Sequence, residues 1–363
     1  MHNRIIHIEQ DHIGSRYDYT ISHLIPDISR TRVQSLMDDG CVLSDGVAIT
    51  CGSKKIKRQC VITIIEKSSN NDNIIKITSP KPENIAIEVI YEDKYIAIID
   101  KPAGIVCHPA PGNYEGTLLN AIIYRFGTEG IGPQCRYGMV HRLDKDTSGL
   151  MLIAKNANSH YAFSKMFLPF EDKAITRKYI CFCNNTPDPK QGTIDNLITR
   201  DPRNRQRYTV LGDETNNVGI KNITTSHMDM IRNKRFFKDN KNSDCIADIN
   251  HSGARRAITH YKTIASHCYS ANKTISMLEC ELKTGRTHQI RVHMKHIGCH
   301  ILGDKVYGVG NNRNTPSWIN CIERQALHAY HMEFTHQFLG KHMEFKSKIP
   351  DDLASIEKIF QAT

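Results

Sequence analysis

The run Leu150-Met151-Leu152-Ile153-Ala154 constrains this chain more than any other segment. It is wholly apolar, and Gly149 and Lys155 close it on either side. An apolar run this short, between such breakers, predicts a buried strand, so the rest of the chain must supply a core around it. His141-Arg142-Leu143-Asp144-Lys145-Asp146-Thr147-Ser148 stand directly before it. Asp144 therefore lies in a loop that feeds the core. Arg142 and Lys145 flank it, and nearby cations keep a sheltered carboxylate ionised. Such an aspartate can serve as nucleophile or base.

Two blander readings compete. A D-x-D segment is often only a solvated acidic turn. Asp144, Asp146, Ser148 and Gly149 also fit positions one, three, five and six of an EF-hand loop. That reading fails at position twelve, which needs a bidentate glutamate and is Lys155.

The chain has 363 residues, enough for two domains. Its formal charge of +10 favours a polyanionic partner. The 12 cysteines are scattered without a C-x-x-C pair, Cys181 and Cys183 being the closest. Neither a zinc framework nor a secreted disulfide pattern results, and free thiols point to a reducing cytoplasm. No run approaches the ~18 apolar residues of a membrane span. Met1-His2-Asn3-Arg4, with Glu9 and Asp11 close behind, is no signal peptide. His293, His296 and His300 lack an H-E-x-x-H core and an obvious carboxylate ligand, so no metal site is expected.

Residues 13–66 read as a compact module. Tyr17, Ile21, Leu24 and Ile25 recur at helical spacing. Ser29 can cap a second helix that buries Val33, Leu36 and Met37 and ends at Gly40. Ser44-Asp45-Gly46 between two apolar stretches is a hairpin signal. Arg30, Arg32, Lys54, Lys55 and Lys57 cluster here as candidate RNA phosphate contacts, or as a solvated basic face. Residues 67–86 are polar with two prolines and read as a linker. Residues 87–355 form the second domain, opening with a hairpin over Ile87–Asp100. Residues 211–252, rich in Asn, Asp and Lys, read as a surface insertion. Thr274–Leu282 is strand-like. Thr287 can cap a following helix with Ile290, Met294 and Ile297 on its apolar face and Gly298 at its end. Arg291 falls off that face, where a solvated surface cation is the plain alternative.

The string HRLDKDTSGLMLIAK, residues 141–155, closely resembles the signature of the RluA-type pseudouridine synthases. GRTHQIRVHMKHIGCHILGDKVYG, residues 285–308, resembles that family's arginine-bearing motif, and Arg177-Lys178-Tyr179 falls in order between them. Residues 13–66 resemble an S4 RNA-binding domain. The resemblance implies an α+β fold, a small S4 module followed by a mixed, largely antiparallel-sheet synthase domain. It implies that Asp144 is catalytic, that Tyr179 stacks on the uracil and that Arg291 pairs with Asp144. It places Arg142, Arg286 and His288 at the RNA cleft and Leu302 beneath the target base. The implied reaction breaks the uridine C1′–N1 bond and joins C1′ to C5, on a base flipped out of the RNA. Asp144 could attack C1′, attack C6 or remove the 2′ proton. No cofactor is required.

Pro26 to Arg32 and His108 to Asn113 look closest to the branch that modifies large-subunit (23S) ribosomal RNA. Transfer RNA is the alternative substrate, and a non-catalytic RNA-binding or assembly factor the alternative class. A cytoplasmic monomer is expected.

Overall fold

The structure, a computed structural model, describes residues 2–25, 28, 30–66, 80–110, 112–128, 131–168, 175–204, 206–211, 253–271, 273–309 and 316–361. The Ser29 cap, residues 67–79 of the expected linker and residues 212–252 of the expected insertion lie outside the described residues. The chain divides into two compact units, Met1–Ser79 and Pro80–Thr363.

The first unit contains β1 (His2–Ile8), α1 (Tyr17–Leu24), α2 (Arg30–Asp38), β2 (Val42–Ser44), β3 (Val47–Ala48) and β4 (Cys60–Glu66). Ile21, Val33 and Met37 from the helices pack with Ile62 and Ile64 of β4. Gly40 ends α2 with φ 67°, a left-handed conformation that glycine adopts without steric cost. Asp45 and Gly46 link β2 to β3 with φ of 49° and 81°, as a two-residue hairpin of the right twist requires. Asp45 earns its place structurally. Its carboxylate accepts the Val61 N–H at 2.9 Å and an Arg58 N–H at 3.2 Å. The module begins earlier than residue 13, because β1 runs antiparallel to β4 from His2↔Glu66 to Ile8↔Cys60. Of Arg4 to Ile8 only Ile8 is buried, so this edge strand carries little hydrophobic signal.

The second unit is built on one large sheet. Its strands are β5 (Glu88–Glu92), β6 (Ile96–Lys101), β7 (Ser148–Ala154), β8 (Thr176–Asn184), β9 (Gln191–Arg200), β10 (Tyr208–Val210), β11 (Arg255–Ser270), β12 (Lys273–Leu282), β13 (Leu327–Thr335) and β14 (His342–Lys346). The order is β10-β9-β11-β12-β8-β13-β7-β6-β5, with β14 paired to β13. Every pairing is antiparallel except β13 with β7. Helices α3 (Leu118–Phe126), α4 (Ala157–Met166), α5 (Gln289–His296), α6 (Ser317–Asn320) and α7 (Asp351–Gln361) complete it.

The apolar run that anchored the sequence reading is the body of β7, and every residue of that strand is buried. Met151 and Ile153 enter the main core, whereas Leu150 and Leu152 enter a second core with Phe163 and Phe334. Successive side chains of a strand point to opposite faces, so covering both faces demands an unbroken apolar run. Ala97 and Ile99 of β6 join the first core, and Ile96 and Ile98 the second.

Gly149 sits where β7 meets β13, opposite Ala329, with φ 120°. A Cβ there would collide with the Ala329 backbone. Gly149→Ala is therefore expected to cost about 2–4 kcal/mol, from overpacking and backbone strain together. Denaturant unfolding checks this, and a loss below ~1 kcal/mol would show that the crossing yields more easily than its geometry implies.

Two expected boundaries of this unit need correction. Residues 80–86 are tied down, not free linker. The Asn120 side chain donates to Lys81 O at 2.7 Å, and Gly116 N donates to the Glu83 carboxylate at 3.1 Å. At the other end α7 runs past residue 355. Leu353 and Ile356 are buried in the core, and Phe360 stacks on Phe182.

Ser148 also anchors a buried polar chain. Its Oγ meets His328 Nδ1 at 2.9 Å, His328 Nε2 meets Ser347 Oγ at 3.1 Å, and Ser347 donates on to Asp100. Burial, with Arg324 nearby, pushes His328 down to about 4. A histidine whose folded pKa lies below its unfolded value near 6.5 costs nothing above pH 6.5 and destabilises as pH falls toward 4. That contribution reaches about 3 kcal/mol for one such group. His328→Gln should therefore show a shallower stability loss than wild type between pH 6.5 and 4, measured by unfolding at several pH values. Parallel curves would contradict it.

Candidate active site

Asp144 lies in the loop that leads into β7, and that loop is held from beneath. Lys101, at the end of β6, has no exposed surface. Its ammonium donates to the carbonyls of Pro102, Lys145 and Thr147, each at 2.9 Å. Two of those carbonyls, Lys145 and Thr147, follow Asp144 in the same loop. All three ammonium protons are thus satisfied, although burial still pushes Lys101 down to about 8. Thr147 N closes the turn on Asp144 O at 3.1 Å.

Arg291 reaches Asp144 from α5. Its Nη1 donates to Asp144 Oδ2 at 3.1 Å. The rest of the guanidinium fork is bidentate on Asp304, Nε to Oδ2 at 2.7 Å and Nη2 to Oδ1 at 2.8 Å. Arg291 is only 6% exposed, so the solvated surface cation that helical periodicity allowed is excluded. Asp304 is a site residue that sequence reasoning missed. Its side chain is fully buried and also accepts the backbone N–H groups of Val306 and Tyr307 at 2.9 Å. Burial pushes Asp304 upward, but Arg291 and these two donors more than reverse that and leave it below its ordinary value. Arg291 in turn lies above the usual arginine range, its burial outweighed by Asp304 and Asp144. The available signal was one aspartate inside the GDKVYG stretch, and no local periodicity links it to Arg291.

His288 sits at the N-cap of α5 with φ 56°, a left-handed conformation uncommon for histidine. Thr287, the expected cap, does not occupy that position. Gln289 closes the turn instead. Its Oε1 accepts Arg286 N at 2.9 Å and Thr284 Oγ1 at 2.7 Å, and its Nε2 donates to Ile258 O at 2.9 Å. The unusual backbone brings His288 Nε2 to 3.9 Å from Asp144 Oδ2, while Nδ1 meets the Tyr307 hydroxyl at 2.8 Å. Burial holds His288 below its ordinary value despite that carboxylate.

Tyr179 projects from β8, is 5% exposed, and is pushed up by burial. A cavity of about 510 Å³ joins these groups, and Arg142, Asp144, Tyr179, Arg286, His288 and Arg291 all line it. Such a volume lies in the range of small-molecule and nucleotide pockets. Leu302 is not in the described lining. It is buried in the main core with its N–H on Phe182 O at 2.9 Å, and Leu143, Leu282, Ile290 and Leu327 supply apolar lining instead.

In the first unit, Lys54, Lys55 and Lys57 are exposed. Arg30 is partly committed elsewhere, because its Nε lies 3.1 Å from Asp18, which Arg16 also pairs at 2.8 Å. The three histidines do not converge as ligands. His293 bonds Thr259 Oγ1 and His300 bonds Tyr307 O. Among the described residues no group of three His, Cys, Asp or Glu could hold a metal ion.

The profile of the RNA pseudouridylate synthase family matches residues 95–296. The chain is 33% identical to the ribosomal large subunit pseudouridine synthase D of Zymomonas mobilis, covering 97% of this chain and 96% of that one. The protein of the same name from Nitrosomonas europaea is 32% identical, over 94% of this chain and 83% of its own. An uncharacterized RNA pseudouridine synthase of Bacillus subtilis, YlyB, is 32% identical, over 94% and 93%.

Proposed function

This chain belongs to the RNA pseudouridylate synthase family and is an enzyme that isomerises uridine to pseudouridine in RNA, and from that premise we propose that its substrate is large-subunit ribosomal RNA. Similarity along nearly the whole length to two synthases named for the large ribosomal subunit supports that substrate.

One observation carries the chemical reading, the contact of Arg291 with Asp144 inside the cavity. Arg291 and His288 both face Oδ2, which leaves Oδ1 for the substrate. The reaction breaks C1′–N1, joins C1′ to C5, removes the C5 proton and leaves a proton on N1, so the product is an isomer and a fixed carboxylate acting on a flipped base needs no other reactant. Tyr179 offers a stacking face for the uracil. Arg142, Arg286 and His288 are the nearest candidates to hold the flanking RNA. We read the protein as a monomer acting in the cytoplasm, where large-subunit ribosomal RNA, its proposed substrate, is assembled.

Mapping pseudouridines in large-subunit RNA from cells with and without the protein tests the substrate. Loss of specific sites is expected, restored by the gene. An unchanged large-subunit map with sites lost from transfer RNA would overturn it.

We also propose that the first unit is an S4-like RNA-binding module. Two helices followed by a hairpin, with Lys54, Lys55 and Lys57 exposed, support this. Phosphate contacts carry affinity but take no part in the bond-breaking step. Deleting residues 1–79 should weaken binding to structured RNA by about tenfold or more at physiological salt, with turnover at saturating RNA retained. A folded fragment that binds RNA normally would overturn this role.

A further inference from the structure

The cavity is lined by five arginines and, among the described residues, by one carboxylate, Asp144. Arg136 and Arg142 are exposed to water. Arg286 donates to Arg256 O at 3.1 Å, and Arg291 is matched by Asp144 and Asp304. Arg177 differs from all four. It is only 7% exposed, and its Nε is buried without a hydrogen-bond partner. No described carboxylate pairs with it, and burial pulls it below the ordinary arginine value. Among the described residues nothing neutralises this guanidinium, and a buried unpaired charge costs several kcal/mol, which an anion entering the cavity would offset.

The surroundings hold this cation in place. Its guanidinium lies over the Phe167 ring at 5.1 Å, and Phe167 stacks on His141 at 4.4 Å. His141 adds no charge, because burial pushes it down to about 3. Gly285 leaves room for the fork, since a Cβ there would come within 3.2 Å of Arg177 Nη1. Arg177 stands two residues before Tyr179 on β8, so both project from the same strand face, about 7 Å apart along it. That spacing is comparable to the reach from a flipped base to a backbone phosphate of its own nucleotide.

We propose that Arg177 is an anion receptor of the active site, taking one backbone phosphate of the RNA next to the flipped uridine. This rests on the reading of the site as a pseudouridine synthase. A neutral base carbonyl would leave the charge unbalanced, whereas a phosphate neutralises it and accepts the guanidinium fork. The contact forms only after the backbone has entered the cavity, so it rewards a flipped nucleotide over a stacked one.

The test is a cycle on the full chain. An RNA fragment in which the wild-type protein forms pseudouridine is made with single methylphosphonates, each neutralising one phosphate around the target. Arg177→Met should lower kcat/KM on natural RNA about 10- to 100-fold, the worth of a charge-assisted contact. One methylphosphonate should lower wild-type kcat/KM by a similar factor and leave Arg177→Met unchanged. Without RNA, Arg177→Met should melt no lower than wild type, because an apolar chain replaces an unpaired buried charge. If that variant misfolds, Arg177→Gln is read in the same cycle. Losses that multiply at every phosphate, or an unchanged kcat/KM for the variant, overturn the proposal. Absence of turnover by the wild-type protein on any ribosomal fragment instead overturns the substrate reading, and the same cycle read as RNA affinity then decides Arg177.

Discussion

Asp144→Asn is expected to abolish pseudouridine formation while the protein folds and binds RNA almost as before. The amide keeps the shape of the carboxylate but offers neither a nucleophile nor a base. Removing such a group from other enzymes costs about 10⁴- to 10⁶-fold in turnover. Folding should survive for a specific reason. The loop around Asp144 is fixed by the carbonyls that Lys101 holds and by the Thr147 N–H on Asp144 O. None of these bonds uses the carboxylate. Arg291 loses one of its two charged partners but keeps the bidentate one, Asp304. Single-turnover assays on labelled RNA, with binding and unfolding measured on the same preparation, check this. Turnover within about tenfold of wild type would refute the role of Asp144, since a residue this central cannot be so cheaply lost.

The second large effect concerns the pair behind it. Arg291 and Asp304 are buried together, and breaking such a pair by removing one partner typically costs about 3–5 kcal/mol. Asp304→Asn should therefore lower stability by roughly that amount, and Arg291→Met likewise, because each strands a charge in the interior. The double variant Arg291→Met/Asp304→Asn should regain much of the lost stability, since no unpaired charge remains and the amide oxygen can still accept the Val306 and Tyr307 N–H groups. Its turnover should stay as low as that of Arg291→Met, because nothing aims Asp144. Recovered activity in the double variant would show that the pair matters only for folding. The pH dependence separates the partners further. Asp304 lies below its ordinary value in the folded protein. Its stabilisation is present above the unfolded aspartate value near 3.9 and is lost as pH falls through the folded value. Asp304→Asn should lack that component of acid unfolding.

The elements legible from sequence share one property, that their cause is local. The apolar run of β7 is visible because both its faces are covered, so the alternation that hides other strands is absent. Asp45-Gly46 and Gly40 are visible because a tight hairpin and a helix end each require positive φ. Tyr179 and Arg291 were also named from sequence, but from motif resemblance, whereas Asp144 stood out by its cationic flanks and its place before the apolar run as well. Periodicity alone left Arg291 as plausibly a surface cation as a buried one. Other features depend on partners far along the chain. β1 exists as a strand because β4, some way downstream, supplies its hydrogen bonds. Leu302 is held by β8 through its backbone and by the core through its side chain, a placement that no local spacing sets.

What sequence by itself determined is a set of candidate groups, Asp144 among them, and the strand that carries Asp144 into the core. Only tertiary structure decided their ionic company. Arg291 stands 147 residues from Asp144 and 13 from Asp304, and a single guanidinium fork joins all three. Arg177 was seen only as a flank of Tyr179, and its lack of a carboxylate partner among the described residues emerged once burial was known. Burial and charge pairing are sums over residues distant in sequence, and local spacing carries no record of them.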